Sequence, residues 1–347
     1  MKRIKRLLSL LLCLTMALAL AACGGGDSAP EGEDKDPDAS VELSEEEAWK
    51  LEPAYGQTIQ YAVNPGGCTA GPFMAGYLGY YEEAGLSVEK IQVSGSIAES
   101  VGTNTVQFSI DHIATELVPI TNGINVRFVG GAHYGCKSLY VLADSGYETT
   151  ADLVGKTVSV PDGIGGADYN IASRFFDKDG INPLTDVKLT PVEAGSCVQA
   201  MQNGSLDGAI LSDMFAYDLV QDGTLRRVRS LLDDDFGTEP CCVVIINSKF
   251  LEENPITSKK LIECVKKAHD YMRENSEEVS QILIDEGICG GSLEKVNAFM
   301  SSLRFGLSDA DTETALKVII DDYLRLGLIT ANISAEDALA KVWAPIQ

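Results

Sequence analysis

Basic residues are scarce in this sequence, and their scarcity excludes one class of partner. The 347 residues include 27 lysines and arginines but 51 aspartates and glutamates, so the formal net charge is −24. A surface of that sign repels the phosphates of nucleic acids and of anionic lipids. We therefore expect no nucleic-acid partner, and attachment to a membrane would have to come from something other than surface charge.

Histidines and catalytic motifs are also scarce. The sequence has three histidines and contains no His-Glu-x-x-His motif, no phosphate-binding loop and no Gly-x-Ser-x-Gly elbow. A cysteine nucleophile would have to pair Cys136 with His133, or Cys68 with His112. Neither pair has a visible third group to orient the histidine. The sequence therefore indicates a protein that is not an enzyme, and we expect no cofactor.

A long apolar run occurs once, near the N-terminus. Leu7 to Ala22 is almost wholly apolar and follows four basic residues. Its ~16 residues fall short of the ~20 that cross a bilayer but match the core of a signal peptide. Leu20-Ala-Ala-Cys23 resembles the lipobox of bacterial lipoproteins, which implies that residues 1–22 are removed and that Cys23 carries the lipid. The alternative is an ordinary cleaved signal that ends near a cysteine.

The next segment is acidic. Gly24 to about Lys50 carries ten acidic residues and two lysines, with few apolar residues. Such a composition buries too little apolar surface to offset the chain entropy lost on folding. We therefore predict a disordered, lipid-anchored linker over residues 23–55 and a fold that begins near Gly56.

From Gly56 onward, strand-like segments alternate with segments of helical spacing. Thr58 to Val63, for example, is followed by the helical pattern of Gly71 to Glu83. This order is typical of α/β folds with mostly parallel sheets. Two such blocks are followed by the apolar strand Cys241 to Asn247, and everything after Pro255 has helical spacing.

The order of these blocks predicts two lobes. A helical tail must bury its apolar stripe, and the first block offers the available surface. We therefore assign residues 56–143 and 240–347, tail included, to lobe 1 and residues 144–239 to lobe 2. The chain would cross to lobe 2 near Ala143 and return near Glu239, so the two doubly wound lobes would form a cleft with a hinge of two crossings.

Three segments resemble a known family. They are Gly76-Tyr-Leu-Gly-Tyr-Tyr-Glu-Glu-Ala-Gly-Leu86, Thr150-Ala-Asp-Leu-Val-Gly-Lys-Thr-Val-Ser-Val160 and Ala200-Met-Gln-Asn-Gly-Ser-Leu-Asp-Gly-Ala209. Their order and spacing, together with the lipobox, resemble the nitrate/sulfonate/taurine-type and thiamine-pyrimidine-type substrate-binding proteins. The resemblance covers about Gln57 to Asn275 and implies a type II periplasmic-binding-protein fold that serves an ABC importer. The segments His133-Tyr-Gly-Cys136 and Cys241-Cys242 depart from the family pattern, and a tryptophan often found near the position of Phe215 is absent.

Four loops are candidates for ligand binding. In doubly wound folds, ligands bind where loops leave the carboxyl ends of strands, and helix N-termini there offer free N–H groups. The candidate residues are Gly67, Cys68 and Phe73 in the first loop, Asp111 and His112 in the second, Gly165, Gly166, Asp168 and Tyr169 in the third, and Asp213 and Phe215 in the fourth, together with His133 and Tyr134 from the segment that departs from the family pattern. Plainer roles stay open, namely glycine-rich connections for the first and third loops and helix N-caps for Asp111 and Asp213.

The charges near these loops are mostly acidic. The possible cations are Lys137 and Arg174, and Arg174 lies at least a turn into its helix. This balance slightly favours a neutral or amine-bearing ligand, although helix N-termini could hold an anion without an arginine. Aromatic side chains could pack against the body of such a ligand: Phe73, Tyr134, Tyr169 and Phe215.

The cysteines need separate treatment. If the two crossings run side by side, Cys136 approaches Cys241 or Cys242, with His133 close by. Buried free thiols, a disulfide from Cys136 to one of the pair, and a site for a soft metal or a thiol-reactive ligand all stay open. Because adjacent strand residues point to opposite faces, we do not expect Cys241 and Cys242 to share one site, and we predict no metal. We expect His269, in a charged helical stretch, to be a solvated surface residue.

These features predict a solute-binding lipoprotein on the outer face of the cytoplasmic membrane. It would capture a small organic molecule by closing its lobes and would then dock on the permease subunits of an ABC importer. A ligand-sensing surface lipoprotein, or a binder of a soft metal or thiol-reactive ligand, is the alternative.

Overall fold

Strands and helices alternate along most of the chain. The computed structural model describes residues 43–62 and 66–346. The predicted signal peptide, the predicted anchor Cys23, the linker up to residue 42 and residues 63–65 of the first candidate loop lie outside the described residues.

The described residues form eleven strands and fourteen α-helices. The strands are β1 Thr58–Ala62, β2 Ser87–Ile91, β3 Phe108–His112, β4 Val126–Tyr134, β5 Lys137–Leu142, β6 Thr157–Ser159, β7 Lys188–Thr190, β8 Gly208–Ser212, β9 Leu225–Ser230, β10 Pro240–Asn247 and β11 Arg304–Phe305. The helices are α1 Glu45–Trp49, α2 Gly71–Tyr77, α3 Tyr80–Glu83, α4 Ile97–Gly102, α5 Ile113–Thr121, α6 Ala167–Lys178, α7 Ala194–Gln202, α8 Asp213–Gln221, α9 Ser248–Glu253, α10 Pro255–Glu274, α11 Ser276–Asp285, α12 Leu293–Ser302, α13 Asp309–Arg325 and α14 Ala335–Val342.

The strands form two sheets that share one topology. The first sheet has the order β11-β4-β10-β3-β1-β2, and the second has the order β7-β6-β8-β5-β9. In each sheet a parallel trio is followed by one antiparallel strand that the chain reaches by crossing from the other sheet, β10 in the first and β5 in the second. The fold of two doubly wound sheets joined by two crossings is the architecture that the sequence predicted, except that β5 was expected in the first lobe.

The chain crosses between the sheets earlier than predicted. β4 ends at Tyr134 in the first sheet and β5 begins at Lys137 in the second. Gly135 (φ 85°) and Cys136 (φ 95°) turn the backbone through the left-handed region and end the first strand. The predicted crossing near Ala143 is therefore wrong. The apolar run of β5 resembles that of β4, and nothing in hydrophobicity marks the change of sheet between them.

Part of the predicted linker is folded. Ser44 caps α1 in a capping box with Glu47, and Trp49 at the end of α1 is buried. The Trp49 indole N–H donates to Thr257 Oγ1 at 2.9 Å, and Lys260 Nζ lies 4.2 Å from the ring centroid. The prediction of a disordered chain is therefore wrong for residues 44–55, because the aromatic ring of Trp49 docks this acidic segment and Glu52 accepts hydrogen bonds from the N–H groups of Ile256 and Thr257.

The helices after β10 cover both faces of the first sheet. Successive β10 side chains point to opposite faces, so Val243 and Ile245 share a core with apolar residues of α13, whereas Val244 and Ile246 share a core with those of α10. The helical tail thus buries its apolar stripe on the first sheet. Within the described part of the chain, no helix has both the length and the apolarity needed to cross a bilayer.

Candidate functional site

A cavity of about 500 Å³ lies between the two sheets, at the carboxyl ends of β3 and β8. Its lining residues are Cys68, Thr69, Gly95, Ser96, Ile97, Asp111, His112 and Thr115 from the side of the first sheet, and Cys136, Lys137, Asp162, Gly166, Ala167 and Ser212 from the crossing and the second sheet. Small-molecule sites in proteins have this size, and ligands of doubly wound folds bind at this end of the strands.

Several predicted residues meet at this cavity. Cys68, Asp111, His112 and Gly166 line it. Gly67 and Phe215, together with Cys68, line a neighbouring cavity of about 310 Å³. The structure therefore brings together residues from all four candidate loops, although they are divided between two adjoining cavities.

Three other predicted residues, Asp168, Asp213 and Gly165, do not line either cavity. Asp168 binds Lys137, and Asp213 accepts a hydrogen bond from the Tyr140 hydroxyl at 2.7 Å. Asp213 is the first residue of α8 and therefore not its N-cap; Ser212 occupies that position, without a capping hydrogen bond from its side chain. Gly165 is an exposed turn residue with φ 82°.

The remaining predicted aromatic residues pack elsewhere. Phe73 packs against Tyr77, with ring centroids 5.9 Å apart. Tyr134 lies beneath the Arg304 guanidinium, 5.4 Å from its ring centroid. Tyr169 is half-buried against the main core. Phe215 is thus the one of the four proposed aromatic contacts that lines either cavity.

Some lining residues were missed by the sequence reasoning. Ser96 is the N-cap of α4 and accepts a hydrogen bond from the Glu99 N–H at 3.4 Å. The Ser96-x-x-Glu99 spacing is a known signal for a helix start, and it could have predicted α4 and its position at the cavity. Thr115, in the first turn of α5, had no comparable signal.

Lys137 and its two carboxylate partners determine the charge of the cavity wall on the side of the second sheet. Lys137 Nζ lies 2.8 Å from Asp162 and 2.5 Å from Asp168. Burial alone would lower the pKa of Lys137, but the two carboxylates outweigh burial and raise it above its usual range. Burial raises the pKa of the deeper Asp168, whereas at Asp162 the attraction of Lys137 exceeds the effect of burial and lowers the pKa. Both carboxylates thus bind the one lysine at the cavity wall, and Asp162 remains the more exposed of the two.

Asp111 and Glu116 form an acidic pair behind the first-sheet wall. Asp111 Oδ1 accepts a hydrogen bond from the His112 N–H at 2.7 Å. Burial raises the pKa of Asp111, and burial together with the nearby Asp111 raises that of Glu116 well above its ordinary value. Asp111 does not act as a helix N-cap, because His112 occupies that position.

Thiols and an imidazole gather where the crossings meet the cavity. Cys136 Sγ lies 3.1 Å from Cys241 Sγ, and His112 Nδ1 lies 3.2 Å from Cys241 Sγ and 3.7 Å from Cys242 Sγ. All three thiols are free. Burial by itself raises the pKa of Cys241, yet its hydrogen bonds to the neighbouring thiols and to His112 lower that pKa well below its usual range.

Two expectations about this region are wrong. Cys241 and Cys242 both approach His112 because the pairing of β10 with β4 shifts register on either side of Cys242, and such a bulge re-aims side chains that would otherwise alternate. His269 is buried rather than solvated: its ring lies 5.4 Å from that of Phe305, and burial lowers its pKa to about 3.

Polar contacts also link the two sheets beside the cavity. Asn170 Nδ2 on α6 donates to the Ala114 carbonyl on α5 at 2.9 Å. Arg174, one of the two cations considered for ligand binding, is buried and binds Glu239 at 2.6 Å and Asp322 at 2.8 Å. Its charge is therefore neutralised by the protein itself.

Comparison with known proteins identifies a family and a distant relative of this chain. The profile of a family described as NMT1/THI5-like matches residues 68–279. A protein of Brucella abortus (strain 2308), described as a binding protein, is 22% identical over 209 residues, which are 58% of this chain and 62% of that protein. The alignment thus spans less than two thirds of the length of this relative.

Solved structures share the fold at low sequence identity. The periplasmic aliphatic sulphonate-binding protein SsuA from Escherichia coli aligns with a TM-score of 0.67 and 15% identity, over 84% of this chain and 92% of that one. The periplasmic nitrate-binding protein NrtA from Synechocystis PCC 6803 aligns with a TM-score of 0.61 and 13% identity, over 82% and 85%. The desulfurization enzyme DSZB also aligns, with a TM-score of 0.59 and 16% identity over 83% and 96%. These alignments confirm the predicted fold class, and the fold by itself does not decide between binding and catalysis.

Proposed function

The chain belongs to the NMT1/THI5-like family, and from that premise we propose that it is an extracytoplasmic solute-binding lipoprotein of an ABC importer. It would bind a small organic molecule between its two sheets and present it to the permease subunits. The lipid on Cys23 and the acidic segment behind it would hold the protein at the outer face of the cytoplasmic membrane.

The observation that carries this proposal is the shared lining of the 500 Å³ cavity. Asp111 and Thr115 come from the first sheet and its helix α5, whereas Asp162 and Ser212 come from the second sheet and its loops. A ligand that contacts both sides stabilises the conformation in which the sides are close, since only that conformation makes both sets of contacts. This geometry supports the proposal that the two lobes capture the ligand by closing about the two crossings.

The charges of the lining favour a ligand that donates hydrogen bonds. Among the described lining residues the one lysine is Lys137, and it is already bound by Asp162 and Asp168. An anionic ligand would find no uncommitted lysine or arginine in this wall. We therefore propose a neutral or amine-bearing ligand, with Asp162 as an accessible acceptor and the exposed Phe215 as an apolar contact in the adjoining cavity.

A thermal-shift panel of amines, pyrimidines and sulfonates, applied to the whole chain in mild detergent, tests the proposal. Ligands that bind only the native state raise the melting temperature in proportion to ln(1 + [L]/Kd). We expect an amine-bearing compound to give the largest shift. Replacement of the Asp162 carboxylate in Asp162→Asn should raise the Kd of that compound about tenfold, as expected for the loss of one charge-assisted hydrogen bond.

The same substitution distinguishes the opposite case. An anionic ligand should bind more tightly to Asp162→Asn, because Lys137 loses one of the two carboxylates that neutralise it. Asp234→Asn removes an exposed carboxylate outside both cavities and serves as the matched control. A sulfonate that binds the parent chain and improves in Asp162→Asn would contradict the proposed ligand class while retaining the binding function.

A further inference from the structure

The proposed capture of an organic solute gives no role to the thiol cluster at the crossings, although His112 and Cys136 also line the 500 Å³ cavity. The cluster consists of His112, Cys136, Cys241 and Cys242, and one ligand atom from each residue lies within 4.8 Å of the other three. Two of its sulfurs belong to different crossings: Cys136 precedes β5, and Cys241 lies at the start of β10. The cluster therefore brings together chain segments that are 105 residues apart.

The spacing of these atoms matches the shell of a four-coordinate metal ion. Zn–S bonds of about 2.3 Å and Zn–N bonds of about 2.1 Å separate the ligand atoms of a tetrahedral site by roughly 3.5–3.8 Å. Here His112 Nδ1 lies 3.2, 3.7 and 3.9 Å from the sulfurs of Cys241, Cys242 and Cys136. The Cys136–Cys241 sulfur separation is 3.1 Å. Small side-chain rotations would therefore be enough to place all four atoms around one ion.

A buried histidine beside the cluster supports the same chemistry. His133 is fully buried and its Nδ1 lies 3.0 Å from the Tyr134 carbonyl oxygen, whereas its Nε2 has no hydrogen-bond partner among the described residues. An imidazole that donates from Nδ1 to a backbone carbonyl presents an unprotonated Nε2, which is the form that binds metals. A His133 ligand atom also lies within 4.8 Å of the sulfurs of Cys68 and Cys242.

The backbone at Cys136 is held in an unusual conformation that places this thiol in the cluster. Among the described residues, Cys136 and Asn104 are the non-glycine residues with positive φ, and the value at Cys136 is 95°. Such a conformation costs free energy and persists where the surrounding structure requires it. At Cys136 it turns the chain between the sheets and leaves the sulfur facing Cys241.

We propose that the protein binds one soft d¹⁰ metal ion, Zn²⁺ or Cu⁺, through His112 Nδ1 and the sulfurs of Cys136, Cys241 and Cys242. Three thiolates and one imidazole are a ligand set that selects such ions over hard cations. Cys68 and His133 form a second group of possible ligands, but that group also includes Cys242. Because the two groups share Cys242, we expect one metal ion per chain. An ion in this position joins the two crossings and would restrain the hinge at the floor of the cavity. The proposal of a metal site does not depend on which solute the protein binds.

The site can be tested by titrating the whole chain with Co²⁺. The protein is kept in mild detergent under argon, and a phosphine keeps its thiols reduced. Co²⁺ in a tetrahedral thiolate site produces intense visible absorption together with a sulfur charge-transfer band. We expect these bands to saturate at one equivalent and to disappear when Zn²⁺ or Cu⁺ is added, the more effective ion being the preferred one. Cys241→Ser and His112→Ala should each weaken binding by more than about tenfold.

Two controls keep the result interpretable. His112 is half-buried in the cavity wall, so His112→Ala removes a ligand with little loss of core packing if Cys241→Ser fails to fold. Cys197→Ser removes a buried thiol of the second sheet's core and should leave the cobalt spectrum unchanged. The proposal is overturned if no tetrahedral cobalt spectrum forms, if Cys241→Ser and His112→Ala bind like the parent chain, or if a Cys136–Cys241 disulfide persists in the reductant and leaves no thiolates there.

Discussion

At the scale of single residues, a charged side chain that the sequence suggested for ligand binding forms ion pairs inside the protein instead. Arg174 was a candidate cation for the ligand, yet its guanidinium lies between Glu239, just before β10, and Asp322 on α13. The two acids come from parts of the chain more than sixty residues from Arg174 in sequence, so no local pattern could have indicated the pairing. The consequence is an ion-pair network that joins α6 of the second sheet to the helical tail.

We expect Asp322→Asn to destabilise the protein at neutral pH by about 2 kcal/mol, the usual contribution of hydrogen bonds to charged groups. Burial alone would raise the pKa of Asp322, but Arg174 outweighs it and lowers that pKa. The carboxylate therefore stabilises the fold above its unfolded pKa of about 3.9, and this contribution is lost as the pH falls through the lower folded value. Urea unfolding from pH 7 to pH 3 should show the two proteins converging in acid.

Asp321→Asn is the matched control for this measurement. Asp321 is the exposed neighbour on the same helix, and its replacement should change the free energy of unfolding by less than about 0.5 kcal/mol at every pH. A constant difference between Asp322→Asn and the parent chain across the pH range would mean that packing, and not the ion pair, is the source of the effect.

Position along a strand was enough to predict where some of the candidate residues lie in the fold. Asp111, His112 and Gly166 follow or end strands, and they line the cavity as loops at carboxyl ends should. Prediction from the sequence failed for Cys241, Cys242 and His269, because a bulge and the packing of a distant helix determine where these side chains point. Such features depend on partners that are remote in sequence.

At the scale of elements, α1 shows that the fold begins earlier than composition indicates. The helix is five residues long and carries three acidic residues in its first turn, which favours the helix N-terminus. Its segment contacts α10 through the Trp49 indole, which meets Thr257 and Lys260, and through Glu52, which accepts hydrogen bonds from the first backbone N–H groups of that helix. Hydrophobic composition averaged over residues 24–50 could not reveal the effect of one tryptophan.

Trp49→Ala should therefore lower the free energy of unfolding by about 3 kcal/mol, as for other buried tryptophans truncated to alanine. Leu51→Ala, two residues away, removes a side chain that is 73% exposed and should have little effect. Equilibrium urea unfolding of both variants measures the difference. Equal stabilities for the two variants would mean that residues 44–55 belong to the linker after all.

Sequence patterns were enough to predict most element boundaries. The strand Cys241 to Asn247 was predicted close to β10, and the helical spacing after Pro255 predicted α10, because long apolar or amphipathic runs fix the type of element. Short α4 was missed, and the change of sheet after β4 was misplaced. At that change the decisive feature is a pair of positive φ angles at Gly135 and Cys136, which hydrophobicity does not encode.

At the scale of the whole molecule, the order of blocks was more informative than any single motif. Two α/β blocks, one returning strand and a helical tail predict two lobes joined by two crossings, and β10 has the position predicted for the returning strand, whereas β5 was expected in the first lobe and lies in the second sheet. The sequence could not supply the chemistry of the cavity. That depends on Lys137 being paired with Asp162 and Asp168, and on how loops from both sheets meet in space.

The most direct test of the central claim, that the cavity between the sheets holds a small organic solute, is native mass spectrometry of the whole chain as purified in mild detergent. Denaturation would then release the bound molecule so that it can be weighed on its own. The account predicts a population that carries one organic molecule, lost on unfolding, and a melting temperature that rises when that molecule is added back. A chain that carries no organic molecule, and whose melting temperature none of the amines, pyrimidines or sulfonates raises, would contradict it.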